Sequence, residues 1–153
     1  MATCQPLTAA TLPQWKARLS RVTDASQPQF GAMSAAAMLR HLRRTLEPAT
    51  GEFQPPEDMS NFLTRTALFR ELFLRMPWPK GKVKAPGWLT PPADGDVETE
   101  RALLFATLDR FAAMHARDPQ AKTQNPLLGP VSLEYVSRLQ GRHLEHHCGQ
   151  FGV

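Results

Sequence analysis

Cysteine is nearly absent from this 153-residue chain. Cys4 and Cys148 stand at opposite ends, so no disulfide framework staples the fold and both are expected as free thiols. Long hydrophobic runs are missing too, and nothing approaches the roughly 18 apolar residues of a membrane span. The start, Met-Ala-Thr-Cys-Gln-Pro, has neither the basic opening nor the apolar stretch of a secretion signal. The expected location is the cytoplasm. A dominant charge is also lacking. Eighteen Lys and Arg against 14 Asp and Glu leave +4, with the signs interleaved along most of the chain. Such a balance fits a solvated basic surface better than a nucleic-acid footprint.

Hydrophobic residues make up 42% of the chain, ordinary for a globular protein, and the length suits one domain over residues 1–153. The apolar spacing predicts an all-α fold. A first helix over 11–23 opens on Thr11 as cap and Pro13 in the first turn, with Leu12, Trp15, Leu19 and Val22 as its stripe. A second runs from Ser34 through Glu47, where Pro48 is expected to stop it. Its buried face is Ala35, Met38, Leu39, Leu42 and Leu46, with Arg40, Arg43 and Arg44 outside. His41 lies at the margin of that face. Alone it suits a hydrogen-bonded half-buried histidine better than a ligand.

A third helix is expected over 57–76, where Phe62, Leu63, Leu68, Phe69, Leu72, Phe73, Leu74 and Met76 cover more than one stripe. That breadth suits a central core helix, or a homodimer contact. Residues 77–96 form a long loop in which Trp78 and Trp88 flank Lys80, Lys82 and Lys84. Loops this long are often functional. Interleaved aromatics and lysines suit an anionic or planar ligand, while a proline-stiffened crossover that packs its tryptophans on the surface is equally readable. A helix over 97–116 follows, with Leu104, Leu108, Phe111 and Ala112 inward and His115 in its last turn, not assigned as a ligand. Residues 118–130 read as a second loop, and Ser132 caps the final helix.

Three of the five histidines fall in the last helix, at His143, His146 and His147. At about 100° per residue, Val136, Leu139, His143 and His147 point one way and Glu134, Arg138 and Glu145 nearly opposite. Two imidazoles four residues apart on an inward face can satisfy their nitrogens economically on one metal ion, and histidine is the commonest protein metal ligand. Spacing by itself leaves the point open, and no Glu follows His143, so the His-Glu-x-x-His metalloprotease pattern is absent. Cys148 points well away from the pair and is expected as a buried, inert thiol.

The run His143-Leu-Glu-His146-His147-Cys-Gly-Gln150-Phe-Gly resembles the last-helix signature of the DinB/YfiT-like superfamily of four-helix-bundle metalloproteins. The stretch Gly129-Pro-Val-Ser-Leu133 before it is similar to a poorly characterised bacterial branch of that superfamily. The resemblance covers nearly the whole chain and implies a four-helix bundle with a long crossover loop. It implies a third ligand from the second helix, and His41 in Met38-Leu-Arg-His-Leu-Arg-Arg44 occupies the matching place. His41, His143 and His147 would then hold a divalent ion, zinc first, with nickel or iron as alternatives. His146 and Gln150 are candidates to support the ligands, although His146 lies off the metal face and also suits a bond to a neighbouring helix. Asn125 stands before Pro126 where that branch often has histidine, which makes it a candidate substrate residue beside Trp78, Lys82 and Trp88.

By resemblance the expected function is a metal-dependent enzyme acting on a small molecule, as a hydrolase or as an S-transferase that uses a low-molecular-weight thiol. The alternative is a non-catalytic metal-binding stress-response protein. No residue is assigned the chemical step.

Overall fold

The computed structural model describes residues 4–80, 85–93 and 95–153, which leaves Lys82 and Lys84 outside the described residues. Among the described residues the chain forms five helices and one hairpin: α1 Leu12–Leu19, α2 Ala35–Thr50, α3 Ala67–Arg75, α4 Val97–Arg117, β1 Lys122–Asn125, β2 Gly129–Ser132 and α5 Leu133–Phe151. No described helix is long and apolar enough to cross a membrane.

Side-chain oxygens open four of the helices. Ser34 accepts from the Ala37 amide, Thr66 from Phe69, Asp96 from Thr99 and Ser132 from Tyr135. Thr11 precedes α1 without capping it: its backbone is already helical, at φ −94° and ψ −15°, and its hydroxyl oxygen accepts from the Thr8 amide at 3.0 Å while donating to the Pro6 carbonyl. Pro48 does not stop α2. It sits in the last turn, where it forfeits one i→i−4 bond while Ala49 still packs inward, and the helix ends on Gly51 at φ 78°.

The expected third helix is shortened at its start by about ten residues. Asp58 accepts from the Ser60 amide, and Asn61 from those of Leu63 and Thr64. These local bonds compete with the helical ladder until Thr66 opens α3. Its apolar breadth is not core: Phe62 is 90% exposed and Leu68 72%, with Leu63, Leu72 and Met76 also open. Leu74 is buried, and Phe69 and Phe73 pack against the core from its edge.

The expected loop at 118–130 contains the antiparallel hairpin, paired from Lys122↔Ser132 to Asn125↔Gly129. Asn125 accepts from the Leu127 and Leu128 amides and shapes its turn. Leu128 in the turn and Val131 in β2 are buried in the core, and a strand of four residues is too short for its alternation to stand out from a loop.

The core lies between α2, α4 and α5, with α1 closing one side. Met38, Leu39, Leu42, Leu46, Leu104, Leu108, Phe111 and Leu144 are at most 2% exposed. Burial of one such side chain contributes about 1.5–3 kcal/mol. Arg43 is an exception to the outward placement of the α2 arginines. It is buried against α4, 3.5 Å from the fully buried Glu100 and 3.6 Å from Glu47. A charge there stays only because it is paired. Before α1, residues 5–7 run across α5: the Leu7 amide donates to the Ser137 carbonyl, and the Ser137 hydroxyl donates back to that of Leu7. Gly141 permits that crossing, since a β-carbon there would stand 2.1 Å from the Gln5 carbonyl oxygen. The N-terminal segment thereby pins the helix that carries two of the histidines.

Candidate metal centre

His41 projects from the middle of α2, and His143 and His147 from successive turns of α5. The two helices meet so that His143 Nε2 lies 3.0 Å from His41 Nε2 and 3.1 Å from His147 Nε2. All three rings are buried.

Each opposite nitrogen is tied away from the centre. His41 Nδ1 lies 2.7 Å from the Leu89 carbonyl oxygen, which can only accept, so that nitrogen carries the proton. His147 Nδ1 donates to Gln150 Oε1 at 2.7 Å, while the Gln150 amide nitrogen donates to the Phe30 carbonyl and fixes the amide's orientation. His143 Nδ1 faces Thr45 Oγ1 at 3.2 Å and Gln140 Oε1 at 3.4 Å. Thr45 spends its own proton on the Leu42 carbonyl, and Gln140 spends its amide on that of Thr45, so both oxygens accept from His143. Three Nδ1 protons are thus committed outward and three Nε2 lone pairs converge.

Protonation does not relieve that convergence. Burial pushes the His41 pKa down, with the Leu89 carbonyl opposing and His146 adding. Burial, then His147, His41 and His146, pushes His143 well below the ordinary imidazole range. His147 is pushed down to about 3 by burial first, then by His41, with Gln150 opposing. Three neutral imidazoles therefore present facing lone pairs, an arrangement that repels itself unless a cation stands among them. The donor set fits a divalent ion. Bonds of about 2.0–2.1 Å from imidazoles on one face of a zinc ion put neighbouring nitrogens roughly 3 Å apart, as His143 stands to each of the other two, all three ligand atoms lying within 4.8 Å of one another. Outward hydrogen bonds to Nδ1 are the usual support of such ligands. The three histidines lie close together and can bind a metal.

One side of the cluster opens into a cavity of about 370 Å³ whose lining includes Met33, Phe73, Trp78, Thr90, His146 and Gln150. His146 makes no hydrogen bond to a neighbouring helix among the described residues. It stands edge-on to His147 with centroids 5.1 Å apart and touches Phe30 at 5.4 Å. Burial, then Lys80 and Arg142, lowers its pKa. Trp78 lies 5.8 Å from the His143 ring, its indole N–H given to the Phe73 carbonyl.

Two substrate candidates fall elsewhere. Trp88 packs at 6.1 Å from Phe53 and is not part of the cavity lining, and Asn125 is committed to its hairpin turn. Cys148 is fully buried, its thiol pushed up to about 11 by burial. His115 bonds Glu134 at 2.8 Å, outside the cluster. Sequence reasoning missed the roles of Leu89, Thr45 and Gln140. A signal existed for one of them: Gln140 precedes His143 by three residues, as Gln150 follows His147 by three.

Residues 2–152 match the model of a family described as a protein of unknown function, DUF1569. The chain belongs to the DUF1569 family. No curated protein and no solved structure matches it. In this DUF1569 chain the match takes in all three clustered histidines and their supporting residues, since His41 through Gln150 fall inside it.

Proposed function

We propose that this chain is a metal-dependent enzyme of the DinB/YfiT-like kind, acting on a small molecule at a divalent ion held by His41, His143 and His147. In this reading α1, α2, α4 and α5 are the four bundle helices, and α3 with the segment after it is the crossover. The observation that carries the reading is the common direction of three imidazole lone pairs, each set by an acceptor behind the ring.

Zinc suits three imidazoles, with nickel or iron as alternatives. When bound, such an ion supplies Lewis acidity that lowers the pKa of a water or thiol it takes up. The chain's own residues do the rest. Leu89, Gln140 with Thr45, and Gln150 hold the rings; Phe73 and Trp78 keep bulk water from one side; His146 presents ring nitrogens to the cavity. Hydrolysis and thiol-dependent S-transfer both need only an activated nucleophile at this place, and the second brings a low-molecular-weight thiol as cosubstrate.

Metal analysis of the purified protein beside His41→Ala and His147→Ala tests the site, with His115→Ala as a control. About one divalent ion per chain is expected in wild type and control, and little in the other two. Equal metal in all four defeats the assignment. Turnover of ester or electrophile panels, with and without thiols, then separates hydrolase from transferase. Metal without turnover in either panel leaves a binding protein.

A further inference from the structure

The cavity in front of the histidines has walls that select a particular kind of molecule. Met33, Phe73, Trp78, Pro79 and Ala85 supply apolar surface, and the described lining carries no carboxylate, lysine or arginine. Among the described residues, two cations near the cavity stack on aromatic rings. Arg142 stacks 5.1 Å over the Trp78 ring and gives its terminal nitrogens to the Leu74 and Met76 carbonyls. Lys80 stands 5.3 Å over the Phe30 ring. Among the described lining side chains, a charged body carried into this space would lose its hydration without gaining an ion-pair partner, which is costly.

The polar side chains of the described lining are few and mostly engaged. Gln150 has both ends of its amide in use, and the Thr90 hydroxyl donates to the Pro86 carbonyl. His146 is the lining side chain whose ring nitrogens have no hydrogen-bond partner among the described residues. The lining thus combines the three clustered histidines and His146 with apolar surface from Met33, Phe73, Trp78, Pro79 and Ala85, and Trp78 lies 6.0 Å from the His146 ring. An apolar cavity of roughly 150 Å³ takes up benzene, so about 370 Å³ holds a ring with several substituents.

We infer that this cavity takes a small molecule with an uncharged, ring-bearing apolar body and one metal-seeking polar head. The body lies against Met33, Phe73, Trp78 and Pro79, and the head points to the histidine cluster with His146 beside it. The placement of the head rests on the metal reading above; the character of the body rests on the walls alone.

Three hydroxamic acids share the head and differ in the body: acetohydroxamic acid, benzohydroxamic acid and 4-carboxybenzohydroxamic acid. Each is titrated into cobalt-loaded protein and followed by the cobalt absorption bands and tryptophan fluorescence. Benzohydroxamic acid is expected to bind at least tenfold tighter than acetohydroxamic acid, and the carboxylate to forfeit most of that gain. Ala32→Asp, at an exposed lining position, should abolish the ratio between benzohydroxamic and acetohydroxamic acid, with the cobalt bands reporting that the protein is folded and loaded. Equal affinity for the first two acids, or tighter binding of the carboxylate, overturns the inference. Absence of cobalt bands in wild type would instead sink the metal reading. The walls are then tested in metal-free protein with the neutral dye N-phenyl-1-naphthylamine, whose fluorescence gain should fall several-fold in Ala32→Asp and whose indifference to that substitution overturns the inference there.

Discussion

Gln150 stands one turn beyond His147 on α5 and holds its ring from behind, Oε1 accepting from Nδ1 at 2.7 Å while the amide nitrogen donates to the Phe30 carbonyl at 2.8 Å. One side chain thus sets the tautomer of a histidine and ties the end of α5 to the segment before α2. Gln150→Leu removes the acceptor without changing size greatly. Metal affinity is expected to fall 10–100-fold, measured by competition with a chromophoric chelator. Unchanged affinity would mean that the Nδ1 bond does not orient the ring.

The metal-free protein should lose stability as the medium becomes acid. His41, His143 and His147 have folded pKa values below the unfolded value near 6.5, because burial disfavours their charged forms. Above that value both states are neutral and nothing changes. Below it the unfolded chain takes up protons that the folded chain refuses, so stability falls with each step down until the folded pKa is reached, about 3 for His147. Each such group costs about 1.4 kcal/mol per pH unit across its window. Urea unfolding from pH 7.5 to 5 should therefore steepen below 6.5, and less so in His147→Phe.

Gly141→Ala should destabilise, although alanine is the better helix former by about 1 kcal/mol. The new β-carbon would meet the Gln5 carbonyl oxygen at 2.1 Å and the Pro6 Cα at 2.8 Å, both backbone atoms. Displacement of the N-terminal segment is expected to cost about 1–3 kcal/mol, read from urea denaturation. A gain in stability would show that residues 5–7 are not held against α5.

The open face around α3 predicts a contrast. Phe62→Ser and Leu68→Lys, at positions 90% and 72% exposed, should shift monomer stability by no more than about 0.5 kcal/mol. Leu42→Ala, at a site 2% exposed, should cost about 2–5 kcal/mol. Sedimentation of the same surface variants checks the homodimer expectation: self-association that both abolish would place the contact on this face.

Reactivity of the two thiols should differ sharply. Cys4 is exposed, whereas Cys148 is fully buried with its pKa pushed up to about 11. Iodoacetamide at pH 8 should label Cys4 in the native protein and reach Cys148 only on unfolding, as read by peptide mass.

The inward direction of His143 and His147 was legible because a helix repeats every 3.6 residues and Val136 and Leu139 mark the same face. The buried stripes of α2 and α4 were legible for the same reason. The breadth of apolar residues over 57–76 misled, because periodicity reports which residues share a face and not whether another element covers it. Arg43 misled in reverse: its partner Glu100 lies 57 residues away, beyond any local pattern.

By itself the sequence determined a mainly helical chain without disulfides, and two imidazoles on the inner face of its last helix. The resemblance implied His41 as their companion, and tertiary structure decided that it meets them, 102 residues from His143 and with Nε2 atoms 3.0 Å apart. It also decided that a backbone carbonyl at Leu89 sets the protonated nitrogen of His41. The physical reason is that side-chain direction follows from local backbone geometry, whereas hydrogen-bond partners and burial depend on which surfaces meet when α2, α5 and the 85–93 segment pack.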